Sequence, residues 1–161
     1  MIYFIYLLLI FAALFFELTL AGLLALKGIK PDVMIIVIGF IGIRDGRRLA
    51  TAYGFLGGIV FDVFSAGLLG VNALAKTIAA FTSRSIPVFQ NHPALYVVVQ
   101  IGFIDLIYNL VLFLVSRGTV LRAEPYLLAG SFVYTLFFTF VVLLLLPSHY
   151  LKQLSTEKSY Y

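Results

Sequence analysis

Residues 54–77 read GFLGGIVFDVFSAGLLGVNALAKT and combine two apolar runs, a short turn and several polar side chains. A glycine-rich apolar run ends near Asp62, a Ser/Gly turn follows from Ser65 to Gly70, and a second apolar run opens with Asn72. So short a connection places two helices side by side and antiparallel. The stretch therefore predicts a helical hairpin that carries polar side chains among apolar ones.

The composition places this hairpin in a membrane. Of the 161 residues, 63% are hydrophobic and 11% are charged, and the mean hydropathy is +1.10. A soluble domain carries about 25% charged residues, so this composition excludes a soluble enzyme, a disordered tail and a nucleic-acid-binding protein. The chain has no cysteine and only two histidines, which are not clustered. We therefore expect no metal site and no cofactor.

Outward from the hairpin, polar breaks divide the chain into apolar runs that predict an all-α integral membrane protein, a six-helix transmembrane bundle. The predicted helices are residues 2–26, 33–43, 49–64, 71–83, 94–116 and 125–146. The second is short for the roughly 20 residues that a crossing needs. It must begin near Pro31, lie in a thinned region or be partly re-entrant. We expect a single transmembrane domain, 1–146, and a short polar cytoplasmic tail, 147–161.

The break between the second and third runs decides the predicted orientation. Residues 44–48 read RDGRR and form the densest group of positive charges in the connecting segments. Positively charged loops stay in the cytoplasm. Six crossings then place both termini in the cytoplasm, an argument that fails if the second helix is re-entrant.

Four ionisable residues lie within the apolar runs: Glu17, Asp62, Lys76 and Asp105. A charge at bilayer depth costs roughly 2.5–3.5 kcal/mol on insertion scales, so these side chains should face protein or water. We predict that Asp62 pairs with Lys76 across the hairpin, with Asn72 at the depth of the carboxylate. Such a pair is a structural ion pair or part of a ligand or ion site; exposure to lipid near the interface is the remaining alternative.

Asp105 lies at the centre of the fifth run, with Asn109 one helical turn away and Thr135 near the middle of the sixth. We expect a protonated Asp105 bonded to Asn109 or Thr135, or else a functional polar cavity lined by these groups. Glu17 has no evident partner and is predicted to face the bundle or a partner helix.

The third run carries small residues on one face. Ala50, Gly54 and Gly58 are spaced by four, and Gly57 widens the groove that they form. A GxxxG pattern lets another helix approach closely. This face is predicted to pack within the chain or against a partner. No Ser/His/Asp set, phosphate-binding loop or metal-ligand spacing accompanies it, so the sequence predicts no enzyme.

Between Pro31 and Ala80 the sequence resembles the rod shape-determining MreD family of bacteria. The resembling features are Pro31-Asp32 before a short apolar helix, the break RDGRR at residues 44–48, and the run from Gly54 to Thr77. The resemblance implies a component of the cell-elongation machinery in the cytoplasmic (inner) membrane, acting in peptidoglycan biogenesis. It also implies a scaffold that binds the single-span partner MreC and acts with a RodA-type glycosyltransferase and a class B penicillin-binding protein.

The family's fold is similar to that of the substrate-binding subunits of energy-coupling-factor transporters. That similarity supplies the alternative function, a small-solute-binding transporter subunit with Asp62, Lys76, Asp105 and Asn109 lining a cavity. The predicted outer connections are short for capping a ligand, which favours the scaffold.

Overall fold

Apolar runs separated by capping and turn residues become helices in the computed structural model, which describes residues 2–20, 22–65, 68–87, 92–117 and 125–147. The six α-helices are α1 (Ile2–Phe15), α2 (Val33–Asp45), α3 (Arg47–Phe64), α4 (Val71–Phe81), α5 (Pro93–Arg117) and α6 (Pro125–Leu145). A π-helical segment, Phe16–Leu20, continues α1. The prediction of an all-helical chain with six helices is confirmed.

Three stretches are long and apolar enough to cross a membrane by length and composition: Ile2–Leu20, Pro93–Val115 and Tyr126–Leu145. The other helices are shorter or carry more charge. α2 has 13 residues and α4 has 11, or about 20 Å and about 16 Å at 1.5 Å per residue, less than the roughly 30 Å of a hydrocarbon core. Judged by helix length alone, fewer than six helices can cross the membrane completely, whereas six crossings were predicted.

The short helix α2 is the centre of the bundle. It packs against α1, α3, α4, α5 and α6, and Ile35, Ile38 and Ile43 are completely buried. This position explains its nearly continuous apolar sequence, because a helix surrounded on all sides needs no polar face.

α2 begins in the middle of the bundle because Asp32 caps it there. The Asp32 carboxylate accepts a hydrogen bond from the backbone N–H of Ile35 at 2.8 Å, which is the usual role of an N-cap aspartate. The backbone N–H of Asp32 donates to Thr135 Oγ1 at 3.0 Å, and Thr135 lies halfway along α6. Helix α2 thus starts at Val33 and not at Pro31, and it occupies only one half of the bundle's depth.

Contacts between helix ends show that the helices alternate in direction. At one end, Tyr53 near the start of α3 donates to the carbonyl of Tyr3 at the start of α1, at 2.8 Å. Arg84, just after α4, donates to three carbonyls at the end of α2: those of Gly42, Ile43 and Arg44. We call this the arginine end; the opposite end, which carries Lys27 and Lys30, is the lysine end.

The first helix is shorter than predicted. The helical stretch described by the structure runs through Leu20, whereas the predicted run extended to residue 26. Lys27 and Gly28 adopt positive φ angles of 53° and 85°, and the backbones of Leu26 and Ile29 bond to each other in a tight turn. The apolar residues after the helix are therefore part of a turn, which hydropathy alone does not reveal. The predicted tail, 147–161, lies outside the described residues except for Pro147.

Candidate functional site: a buried ionic cluster

An ion pair sits at the point where α2 begins. Lys76 Nζ lies 2.5 Å from Asp32 Oδ2, and the Lys76 side chain is completely buried. Lys76 also lies over the rings of Tyr108, at 4.4 Å from the centroid, and Phe61, at 5.6 Å. The aromatic faces add a favourable cation–π interaction, so the ammonium group is neutralised and solvated by protein alone.

Glu17 joins this pair from the π-helical segment after α1. Its Oε1 accepts a hydrogen bond from the backbone N–H of Met34 at 2.8 Å, and its carboxyl group lines the same cavity as that of Asp32. Glu17 thus faces the bundle, and the alternative in which it faces a partner helix is wrong.

Asp105 approaches the cluster from α5. Asn109 Nδ2 donates to Asp105 Oδ1 at 3.0 Å, as predicted, and Asp105 is completely buried. The Thr135 hydroxyl faces the same carboxyl group. Asp105 Oδ2 has no hydrogen bond of good geometry to any residue that the structure describes.

Asp62 does not pair with Lys76, and that prediction is wrong. Its carboxylate instead accepts hydrogen bonds from the backbone N–H groups of Gly70, Asn72 and Ala73, at 2.9, 3.2 and 3.0 Å. Asn72 Nδ2 adds a fourth at 2.8 Å. These N–H groups are the donors that the α4 N-terminus leaves without a partner inside the helix. Asp62 of α3 therefore caps α4 and links the two helices of the hairpin. Lys76 lies one turn deeper, where Asp32 meets it.

Tyr108 connects the cap to the ion pair. Its hydroxyl donates to Asn72 Oδ1 at 2.9 Å while its ring lies over Lys76. The predicted polar residues Asp62, Asn72, Lys76, Asp105 and Asn109 therefore lie in one region of the bundle, although the bonds among them differ from the predicted pairs.

A cavity opens beside the cluster toward the lysine end. Its volume is about 170 Å³, and its wall includes Glu17, Asp32, Tyr108 and Asn109. It exists because α2 starts only at mid-depth, so no helix fills the column above Asp32. Lys30 and Ser131 lie at its rim, where Ser131 Oγ donates to the Lys30 carbonyl at 2.7 Å. The cavity meets an apolar groove of about 540 Å³ between α5 and α6, with Asn109 and Leu128 lining both.

The small-residue face of α3 is covered within the chain. A Cβ atom on Gly58 would lie 2.5 Å from Ala73 Cα, and one on Gly54 would lie 2.9 Å from the Lys76 carbonyl oxygen. Gly57 lies against the Met34 and Ile10 side chains, and Ala50 is completely buried. Since α4, α2 and α1 occupy this face, the alternative in which Ala50, Gly54, Gly57 and Gly58 receive a partner helix is wrong.

Two members of the cluster were not among the predicted site residues. Asp32 was recognisable as a residue before a short apolar helix, the position of an N-cap, but nothing in the sequence indicates its contact with Lys76, 44 positions away. Tyr108 is one of ten tyrosines, and its spacing of one turn from Asp105 is the only local signal. Asp32 and Tyr108 both contact Lys76 only because distant segments of the chain pack together, so the sequence alone did not predict these contacts.

The chain is an all-helical membrane protein in which, among the described residues, the buried ion pair of Lys76 and Asp32 joins α4 to the start of α2. Within the described residues, no group of three or more His, Cys, Asp or Glu side chains is arranged to hold a metal ion. The site consists of a buried ion pair and hydrogen-bonded polar side chains beside an open cavity.

The chain belongs to the rod shape-determining protein MreD family, whose family model matches residues 1–147. This match confirms the resemblance and places the chain among membrane proteins that determine cell shape, a structural family not known for enzymatic activity. Neither the curated proteins nor the solved structures yield a significant match.

Proposed function

We propose that this protein is a non-enzymatic membrane scaffold of the rod-shape complex, which binds an MreC-type single-span partner and helps to organise the peptidoglycan synthase. The synthase would consist of a RodA-type glycosyltransferase and a class B penicillin-binding protein. The family supports this function. The observation that carries it is the ion pair of Lys76 and Asp32, because two buried side chains of opposite charge hold α2 and α4 together inside the bundle, which is a structural role.

The proposal includes a place and an orientation. The protein would lie in the bacterial inner membrane with both termini in the cytoplasm. Arg44, Arg47, Arg48 and Arg84 share the arginine end, and Lys27, Lys30 and Arg117 lie at the opposite end. An excess of positive charge at one end favours that end in the cytoplasm. The proposed likeness to the substrate-binding subunits of energy-coupling-factor transporters belongs to the same hypothesis and is compatible with six helices.

The partner's helix would bind an exposed face, since the glycine face of α3 is closed. The outward surfaces of α1, α3 and α6 are apolar and carry Phe11, Phe55 and Phe137, which are 53%, 47% and 59% exposed. Helix association in lipid depends on close packing because apolar surface alone supplies no drive. One of these faces should therefore fit the partner better than the others.

Disulfide cross-linking in cells tests the scaffold proposal. The chain has no cysteine, so Phe11→Cys, Phe55→Cys and Phe137→Cys each introduce a single reactive group. We expect one of them to cross-link to a cysteine in the spanning helix of the co-expressed MreC-type partner. Ala79→Cys, at a completely buried position, is the matched control and should not react. Absence of cross-links on all three faces, with normal insertion, would contradict the proposal.

The alternative, a small-solute-binding transporter subunit, keeps one specific observation in its favour. The cavity of about 170 Å³ is open and has the carboxyl groups of Glu17 and Asp32 in its wall. Such a subunit needs an energising partner, so co-purification with an ATPase pair in place of the MreC-type protein would favour this alternative.

A further inference from the structure

We propose that the cavity beside Glu17 and the groove between α5 and α6 together bind one membrane phospholipid with a zwitterionic amine headgroup, of the phosphatidylethanolamine kind. This proposal does not depend on the scaffold function. It rests on the shape of the joined spaces, on the placement of charge around the cavity and on the width of the groove.

The joined spaces have the shape of an amphiphile. The cavity, whose wall combines apolar side chains with Glu17, Asp32 and Asn109, holds about 170 Å³, similar to the roughly 150 Å³ engineered cavity that accommodates benzene. It therefore has room for a headgroup of several heavy atoms. The adjoining groove is apolar and about three times larger, at about 540 Å³. A water-soluble solute would occupy the first space and leave the second empty, whereas a lipid fills both.

Charge placement around the cavity matches a zwitterion. Glu17 and Asp32 form the deep wall, and Lys76, which neutralises Asp32, is completely buried behind it. The accessible side of the ion pair is thus the acidic side. An ammonium group in the cavity would donate charge-assisted hydrogen bonds to both carboxyl groups. Lys30 is exposed at the rim and would face the phosphate.

The groove suits an acyl chain better than a partner helix. Helices α5 and α6 pack directly on each other, and packed helices have interaxial distances of 8–10 Å. A helix with its side chains is about 10–12 Å across, too wide to enter the space between them. Leu106 and Leu110 of α5 and Val133 of α6 line the groove and are 50%, 49% and 65% exposed. A hydrocarbon chain entering from the bilayer would meet these side chains first.

Lipid retention tests the proposal in the full-length protein. The purified protein is mixed in detergent with phosphatidylethanolamine, phosphatidylglycerol or phosphatidylcholine of identical acyl chains, and native mass spectrometry counts bound lipid. We expect one phosphatidylethanolamine to be retained at least about tenfold more tightly than the other two, because only its headgroup donates N–H hydrogen bonds to carboxylates. Equal retention of all three lipids, or preference for phosphatidylglycerol, would overturn the proposal.

Matched variants locate the lipid. Lys30→Gln should weaken phosphatidylethanolamine retention about tenfold, whereas Lys27→Gln, an exposed lysine of the same turn outside the cavity, should not. Ala129→Trp fills the groove and should abolish retention, whereas Ala12→Trp, at an exposed position on α1, should not. Wild-type retention in Lys30→Gln and Ala129→Trp would contradict the proposal. Binding of water-soluble phosphoethanolamine as tightly as the lipid would show a solute site and contradict it too.

Discussion

At the scale of single residues, the interior depends on charges that satisfy one another. The Asp32 carboxylate does two tasks at once: it caps α2 through the N–H of Ile35 and neutralises Lys76. Removing one partner of a buried ion pair costs far more than replacing both, because the remaining charge stays buried without compensation. Since Asp32 also fixes the depth at which α2 begins, loss of this pair affects both the charge balance and the backbone.

This balance predicts the effect of removing the lysine. Lys76→Met should lower the free energy of unfolding by about 3–5 kcal/mol, because the Asp32 carboxylate loses its counter-charge. The double variant Lys76→Met/Asp32→Asn should regain part of that loss, since asparagine keeps a capping oxygen without the charge. Unfolding in detergent, followed by circular dichroism, measures both effects.

The control for this experiment is Lys27→Met, which removes an exposed lysine of the α1–α2 connection and should leave stability within about 0.5 kcal/mol of the wild type. A Lys76→Met variant as stable as this control would show that the ion pair contributes nothing to the fold.

At the scale of helices, α3 and α4 form the tightest pair because glycine removes the side chains between them. The Gly58 Cα lies so close to α4 that an added Cβ would meet the Ala73 backbone, at 2.5 Å from Cα and 2.7 Å from the nitrogen. Asp62 then caps α4 from the same helix face, one turn further on. Close approach and capping depend on each other, since the carboxylate reaches the α4 N–H groups only across this short distance.

We therefore expect Gly58→Ala to destabilise the protein. The added methyl group overlaps backbone atoms and forces the helices apart, at a cost of about 1–3 kcal/mol. The matched control is Gly22→Ala, where an added Cβ meets no atom within 4 Å and stability should not fall. Thermal unfolding of the two variants under identical detergent conditions gives the comparison; equal melting temperatures would contradict the packing described for α3 and α4.

The same helices show what could be predicted from the sequence and what could not. Hydropathy and the short turn were enough to predict the hairpin, the six helices and the bond between Asp105 and Asn109, because these depend on nearby residues. The partner of Lys76 was mispredicted because the hairpin offered Asp62 nearby, whereas the backbone donors of α4 occupy that carboxylate. The end of α1 was missed because Leu23, Leu24 and Leu26 are apolar in a turn as they would be in a helix.

At the scale of the whole molecule, the alternating helices separate the charged connections into two ends. The arginine end gathers the residues 44–48 break and Arg84, which donates to the last carbonyls of α2. The lysine end carries the connection between α1 and α2 and the mouth of the cavity. The orientation in the membrane therefore decides from which side the cavity is reached.

Single-cysteine labelling in intact cells checks this orientation. Leu26 at the lysine end and His92 at the arginine end are both exposed, so a cysteine at either position should be reachable by the reagent. We expect a membrane-impermeant maleimide to label Leu26→Cys from outside and His92→Cys only after permeabilisation, because the arginine end should be cytoplasmic. The unmodified chain has no cysteine and provides the background. The reverse labelling pattern would invert the proposed topology.

The unequal helix lengths have a consequence for the surrounding lipid. One flank of the molecule is formed by α3 and α4, of 18 and 11 residues, or about 27 Å and about 16 Å. The flank that contains α5, of 25 residues, reaches about 38 Å. A bilayer that meets both flanks must be compressed beside the first and stretched or tilted beside the second, at a cost of fractions of a kcal/mol per Å. Neighbouring proteins with short transmembrane segments should therefore be favoured along the α3–α4 flank. Local membrane thickness thus contributes to the selection of the proteins that surround this one.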